Sequence, residues 1–168
     1  MTQLGTWVLR EAVRQAQDWH ARGLPIRVAV NVSAVQFADP AFVTTVQDVL
    51  TMAQLPPHLL ELEVTESLLL HDIPRVLALL RDLKALGVAL SLDDFGTGYS
   101  SLSYLHDFPI DTLKIDRSFM PTPDRPAHTI LSAIVGLGQA LGLHVIAEGV
   151  ETLEQQRLLL QLGCERMQ

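Results

Sequence analysis

One cysteine in 168 residues excludes an internal disulfide and fits a reducing compartment. That residue, Cys164, sits beside Gly163 in an apolar context and reads as a core filler rather than a reactive thiol. No long basic run interrupts a formal net charge of −7, which argues against DNA or RNA as the main partner. A compact anionic ligand stays open if metal ions bridge it to acidic groups. No apolar run has transmembrane length and no signal-peptide pattern is present, so a cytoplasmic location is expected for the chain, with membrane attachment left to a longer parent protein. The 6 histidines lack metal-ligand spacing and read as surface or core residues. Internal repeats and low-complexity segments are also missing. What is present is a 48% hydrophobic content, enough for one sizeable core over residues 1–168.

Helical and strand patterns alternate along the chain. Leu4, Trp7, Val8, Ala12, Val13, Ala16 and Trp19 recur at helical spacing, and Gly23 follows as a stop. A β-rich run from Ile26 to Val32 comes next, then a helix from about Pro40 to Ala53 and a strand from Leu59 to Thr65. Asp72 is positioned to cap a helix with Pro74 in its first turn and Val76, Leu79, Leu80 and Leu83 facing inward. Strands are expected at Val88–Leu92, Thr112–Ile115 and Leu143–Ala147, with a helix over Ala127–Leu141. Pro121 to Pro126 reads as a surface loop. Thr152 and Gln155 have capping-box spacing before a final Leu-rich helix. The strands read as near-continuous apolar runs, the pattern of parallel strands buried on both faces. Helix–strand alternation then implies an α/β fold, either a barrel or a doubly wound sheet.

Each expected strand ends in polar or charged residues: Asn31; Glu63 with Glu66; Asp93 with Asp94; Lys114 with Asp116; Glu148 with Glu151. In such folds the C-terminal ends of the strands share one face, and sites are built there. Taken singly, Asn31 reads as a turn cap and Glu63 and Glu66 as a solvated strand end. Lys114 alone could be a snorkelling surface lysine, although its place between Leu113 and Ile115 speaks against that. Repetition at five successive strand ends favours one shared cleft over separate accidents. The strongest stretch is Asp93-Asp94-Phe95-Gly96-Thr97-Gly98-Tyr99-Ser100-Ser101. Two adjacent carboxylates repel unless a cation sits beside them. Gly96 and Gly98 would let the main chain approach a ligand closely. An amide and several carboxylates are hard oxygen donors that suit Mg²⁺ or Mn²⁺.

On these residues the chain resembles the EAL-domain family of bacterial signalling proteins, which hydrolyse cyclic di-GMP. The matching pieces are Asn31-Val32-Ser33, Glu63-Val64-Thr65-Glu66-Ser67, Asp93 through Leu102, Lys114-Ile115-Asp116-Arg117-Ser118-Phe119, Glu148-Gly149-Val150-Glu151, and Gly163-Cys164 through Gln168. They follow the family's order over essentially the whole chain. The resemblance implies a TIM-like (β/α)8 barrel and metal-dependent opening of cyclic di-GMP to the linear dinucleotide. It implies that Asn31, Glu63 and Asp93 ligate one metal, that Asp94 ligates a second, and that Glu148 is a ligand or general base. Glu66 would hold the Gly-rich loop in shape, Lys114 would sit near the attacking water and the phosphate, and Glu151 and Gln168 would be further site residues. Two bound ions, Mg²⁺ or Mn²⁺, would acidify a water and stabilise charge at phosphorus.

One departure accompanies the match. The family's Glu-Ala-Leu motif, whose Glu ligates metal on the first barrel strand, does not occur in this sequence. The chain therefore reads as a partial EAL domain, 1–168, lacking the family's first and last strands. The expectation is a metal site one carboxylate short and two open sheet edges. An isolated chain of this kind should be weakly stable, an oligomer such as a homodimer, or dependent on further sequence. Upstream sensory or GGDEF-type domains in a longer parent are expected. The competing readings are a catalytically inactive EAL-type receptor or scaffold that binds cyclic di-GMP or a protein, and a metal-dependent barrel enzyme of another kind, such as a lyase.

Overall fold

The structure is a computed structural model that describes residues 2–69, 72–96, 105–121 and 128–168. In chain order its elements are α1 (Thr2–Ala21), β1 (Val28–Asn31), α2 (Ala34–Phe37), α3 (Phe42–Ala53), β2 (Leu60–Thr65), α4 (Glu66–Leu69), α5 (Ile73–Ala85), β3 (Ala89–Phe95), β4 (Thr112–Ile115), α6 (His128–Ala140), β5 (His144–Ala147), α7 (Leu153–Gln161) and β6 (Arg166–Met167). Short 3-10 turns stand at Pro57–Leu59 and Arg117–Phe119. Each strand pairs in parallel with its sequence neighbour, giving the order β1-β2-β3-β4-β5-β6. The sheet curls into an incomplete TIM barrel, as the (β/α)8 resemblance implies. Residues 97–102 of the Gly-rich stretch and 122–126 of the expected proline-rich loop lie outside the described residues.

Register divides the sheet into two unlike faces. Successive side chains point to opposite sides, and paired residues of neighbouring strands share a side. One face therefore carries Val30, Leu62, Leu90, Leu92, Leu113 and Val145, all buried. Helices α1, α5 and α6 pack on this sheet. Truncating one such Leu to Ala would cost roughly 2–5 kcal/mol. The other face carries Asn31, Glu61, Glu63, Ser91, Asp93, Thr112 and Lys114. The expected apolar runs are thus corrected: the strands are buried on both faces, but the concave one is polar. Ser91 and Thr112 are buried there at 0% and 1% exposure.

Three local expectations need correction. In α1, Leu4 and Trp7 are exposed at 66% and 60%, as is Val8, and the buried seam is Leu9, Val13 and Ala16. Helix α5 begins at Ile73, but Asp72 makes no side-chain cap bond and takes φ +52. The helix expected from about Pro40 to Ala53 is α3, preceded by the short α2, which a reciprocal Ser33–Gln36 capping box opens. Finally, β3 continues through the Asp pair to Phe95. The Thr152–Gln155 capping box is present as expected, and Cys164 is buried. Burial pushes its thiol up.

At the N-terminal ends of the strands, Asp111 ties the sheet together. Its Oδ2 accepts the Leu90 N–H at 2.8 Å, and both its oxygens accept from Lys84 Nζ at 2.8 Å. This end of the fold is a stability feature, and it leaves the opposite rim for chemistry.

Candidate active site

Lys114 gathers the site. From β4 its Nζ lies 2.8 Å from Glu63 Oε1 on β2, 3.2 Å from Asp93 Oδ1 on β3 and 2.6 Å from Glu148 Oε1 after β5. Four successive strands thus deliver one ammonium and three carboxylates to a single point. Lys114 is only 7% exposed. Burial pulls its ammonium down, but the bonds to Glu148 and Glu63 and the Asp93 charge outweigh this and leave it above the ordinary lysine range. One positive charge faces three negative ones. The cluster is therefore under-neutralised, and Asp93 Oδ1 is buried without a well-formed hydrogen bond from any of the described residues.

The adjacent Asp94 sits at a backbone irregularity. In a regular strand neighbouring side chains point to opposite faces. Here the β3–β4 register shifts between Leu92 and Phe95, and Asp94 adopts φ +55. Asp tolerates this left-handed conformation better than most residues. Burial raises the Asp94 carboxyl above the ordinary range, and the charges of Asp93, Asp116 and Glu148 add to the rise. Asp94 thus feels the charge of the cluster whose member Asp93 precedes it in sequence. A carboxylate whose folded pKa is raised favours folding while protonated and weakens it as pH climbs through the folded value. Asp94→Asn should therefore raise the melting temperature of metal-free protein at pH 7, with the gain vanishing as pH falls below the carboxylate range. Thermal melts at pH 3.5 and 7 check this; an equal gain at both pH values would contradict it.

Glu66 opens α4 and is 5% exposed, and its Oε2 accepts the Gly96 N–H at 3.0 Å. The contact falls at the first glycine of the Gly-rich stretch. The remainder of that loop, from Thr97 to Ser101, lies outside the described residues.

Glu151 and Gln168 line a separate cavity of about 360 Å³ together with Asp116, Arg117, Glu148, Gly149 and Val150. Glu148 belongs to both groups and joins them. The Gln168 backbone is fixed by Gln168 N–H to Ala147 O at 2.8 Å and Val150 N–H to Gln168 O at 3.1 Å. Hydrogen bonds from the Ser118 hydroxyl and N–H hold the Asp116 carboxyl below its usual range. Gly149 has φ +67, and a Cβ there would stand 2.5 Å from Arg117 Cβ. Gly149→Ala is therefore expected to destabilise the chain by more than about 1 kcal/mol, through strain and clash together. Urea unfolding would register this as a lower midpoint; an unchanged midpoint would count against it.

Asn31 is paired with Glu63 in the β1–β2 register but is exposed on the edge strand. It lies in line with the cluster and outside the Lys114 contacts. Of the expected ligands Asn31, Glu63, Asp93, Asp94 and Glu148, it is Glu63, Asp93 and Glu148 that meet at Lys114. Among the described residues no three Asp, Glu, His or Cys side chains form a ready metal cage. Three carboxylates converge on the ammonium instead, because packed anions need a near cation and Lys114 supplies one. The donor set itself fits a hard divalent ion: every donor is oxygen, and Asp93 offers a buried acceptor that no described residue satisfies with a hydrogen bond.

Sequence reasoning missed several residues around the site. Ser91, whose buried Oγ has no hydrogen-bond partner among the described residues, Thr112 on the concave face and the short strand β6 carried no local signal. The Ser33–Gln36 box did carry one, the S-x-x-Q spacing.

Known proteins resemble this chain over its whole length. A family model described as EAL domain matches residues 1–168. The signaling protein YkoW of Bacillus subtilis is 46% identical over 98% of this chain, which spans 21% of that protein. The bifunctional diguanylate cyclase/cyclic di-GMP phosphodiesterase MucR of Pseudomonas aeruginosa is 47% identical over 100% of this chain and 25% of its own length. Among solved structures, the PaMucR phosphodiesterase in complex with c-di-GMP superposes with a TM-score of 0.93 at 47% identity, covering 99% of this chain and 69% of that one. The EAL domain of Mycobacterium smegmatis DcpA gives 0.90 at 42% identity, covering 99% and 76%. The chain thus spans about a fifth of YkoW and a quarter of MucR.

Proposed function

This chain belongs to the EAL-domain family, and from that premise we propose that its site hydrolyses cyclic di-GMP to the linear dinucleotide. The observation that carries the reading is the convergence of Glu63, Asp93 and Glu148 from separate strand ends on Lys114. Relatives named as cyclic di-GMP phosphodiesterases support the substrate, including NbdA of Pseudomonas aeruginosa at 46% identity. Asn31, Glu63, Asp93 and Asp94 would hold two divalent cations, Mg²⁺ or Mn²⁺. Such ions, when bound, supply an acidified water and offset charge on phosphoryl oxygens.

The chain's own groups do the rest. Lys114 donates to the phosphoryl oxygen on which negative charge builds. Glu148, which lies in both the Lys114 cluster and the neighbouring cavity, accepts the proton of the attacking water. Water oxygen bonds to phosphorus, one P–O ester bond breaks, the departing ribose oxygen takes a proton from solvent and ends as a hydroxyl, and Glu148 returns its proton to solvent. Glu151 and Gln168 flank the cyclic dinucleotide in the adjoining cavity. Glu66 keeps the start of the Gly-rich loop in register with the Asp pair.

The second reading is a receptor that binds the nucleotide without turnover; a cluster already bridged by its own ammonium favours it. One experiment separates the two. The chain is incubated with cyclic di-GMP and Mg²⁺ or Mn²⁺, and products are resolved by chromatography. Linear dinucleotide supports the hydrolase, and its formation should cease when EDTA is added. Binding by calorimetry without product assigns the receptor. Neither binding nor product overturns both.

A further inference from the structure

We propose that Phe119 is a positioning residue whose ring holds Gly96, and through it the Asp93–Asp94 bulge, in the working arrangement. Its consequence for turnover rests on the hydrolase reading; its consequence for backbone order does not.

The contact is close. A Cβ built on Gly96 would lie 2.7 Å from Phe119 Cζ, 2.8 Å from Cε2 and 3.7 Å from Ile134 Cδ1. The ring edge therefore occupies the space that any side chain at position 96 would need. Gly96 also has φ +92, which only glycine adopts freely. On its amide side, Gly96 is gripped by Glu66 Oε2 at 3.0 Å. One residue is thus clamped twice, by a carboxylate from α4 and by a ring from the turn after β4.

The clamp matters because of what precedes it. Asp94, two residues earlier, is held at φ +55 within the shifted part of β3. Conformations of this kind cost of order 1 kcal/mol or more and persist only where the surroundings over-determine them. The turn that carries Phe119 is itself well anchored. Asp116 Oδ1 accepts the Ser118 N–H at 2.9 Å, and Met120 is 4% exposed. The same turn presses Arg117 Cβ against Gly149 on its other side. Residues 117–119 thus touch Gly96, just after β3, and Gly149, just after Glu148, while Asp93 of β3 and Glu148 both reach Lys114. The turn sets the spacing of the two anionic arms of the site.

The test is backbone hydrogen exchange by NMR on the metal-free chain. In Phe119→Ala the Gly96 amide should exchange at least about tenfold faster, while Leu62 and Leu113 in the sheet keep wild-type protection. Glu66→Gln should also speed Gly96 exchange, and the double variant should fall short of the product of the two effects, since both act on one residue. Should Phe119→Ala fold poorly, Phe119→Leu provides the same comparison with a smaller cavity. Unchanged exchange at Gly96 overturns the proposal, as does an equal loss of protection across all strands. In a parallel assay with cyclic di-GMP and Mn²⁺, kcat should fall about tenfold with KM little changed, as expected when catalytic groups lose alignment. If the wild type makes no product, the hydrolase reading fails, and the exchange result still decides the role of Phe119.

Discussion

Lys114→Met is expected to give the largest stability loss of any substitution at this site. The variant leaves Glu63, Asp93 and Glu148 facing one another with no intervening cation. Removing one partner of a buried ion pair costs about 3–5 kcal/mol. For a chain of this length that corresponds to a melting-temperature drop on the order of 10 °C. The sign of the pH dependence follows from the raised Lys114 pKa. Stability from a cation with an elevated folded pKa is fully present below its unfolded value and is lost as pH rises through the folded value. The Lys114 contribution should therefore be constant through neutral pH and fade only in strongly alkaline solution. Calorimetric melts in EDTA measure the loss. Added Mn²⁺ should stabilise the variant more than the wild type, because an external cation then meets carboxylates that lack their internal one. Equal melting temperatures for variant and wild type would show that Lys114 does not bind the cluster together.

The second large effect is expected at Glu63. Glu63→Gln keeps the shape of the side chain and an oxygen that accepts from Lys114, but it removes a charge. Folding should be little altered, since two anionic partners of Lys114 remain. Turnover of cyclic di-GMP should fall by more than about a hundredfold, because even outer-shell partners of metal ligands cost 10–100-fold. Product formation per unit time at saturating Mn²⁺ is the measurement, with far-UV circular dichroism as the control for fold. Activity within tenfold of wild type would remove Glu63 from the proposed ligand set.

The two substitutions address different links of one chain of causes. Lys114 speaks to how the sheet tolerates a buried anionic mouth, and Glu63 to what that mouth is for. The Asp94 and Gly149 predictions bear on the backbone that shapes it.

Most of the architecture was legible in the sequence. Apolar segments of strand length, separated by helical periodicity and punctuated by Gly and Pro, pointed to parallel α/β winding. The element positions follow closely: Thr112–Ile115 is β4 as expected, and the Thr152–Gln155 box does open α7. The recurrence of Asn31, Glu63, Asp93, Lys114 and Glu148 at strand ends marked the candidate site. These features are local, so a one-dimensional reading reaches them.

Other features were out of reach because they depend on neighbours distant in sequence. Whether Trp7 is core or surface depends on what packs against its turn of α1, and helical spacing alone cannot say which part of an apolar stripe is covered. The strands looked uniformly apolar because side chains of both faces are interleaved in sequence; only register separates Leu62 and Leu90 from Glu63 and Ser91. Asp94 takes φ +55 at a register shift that no composition rule announces.

By itself, then, the sequence determined the alternation of helices and strands, the oxygen-rich character of the site and the family to which the chain belongs, since each is written in residue type and order. Tertiary structure alone decided that three carboxylates share one ammonium and that Glu66 and Phe119 meet at Gly96. Those are distances between separate elements, and they exist only once parallel pairing has brought the elements side by side.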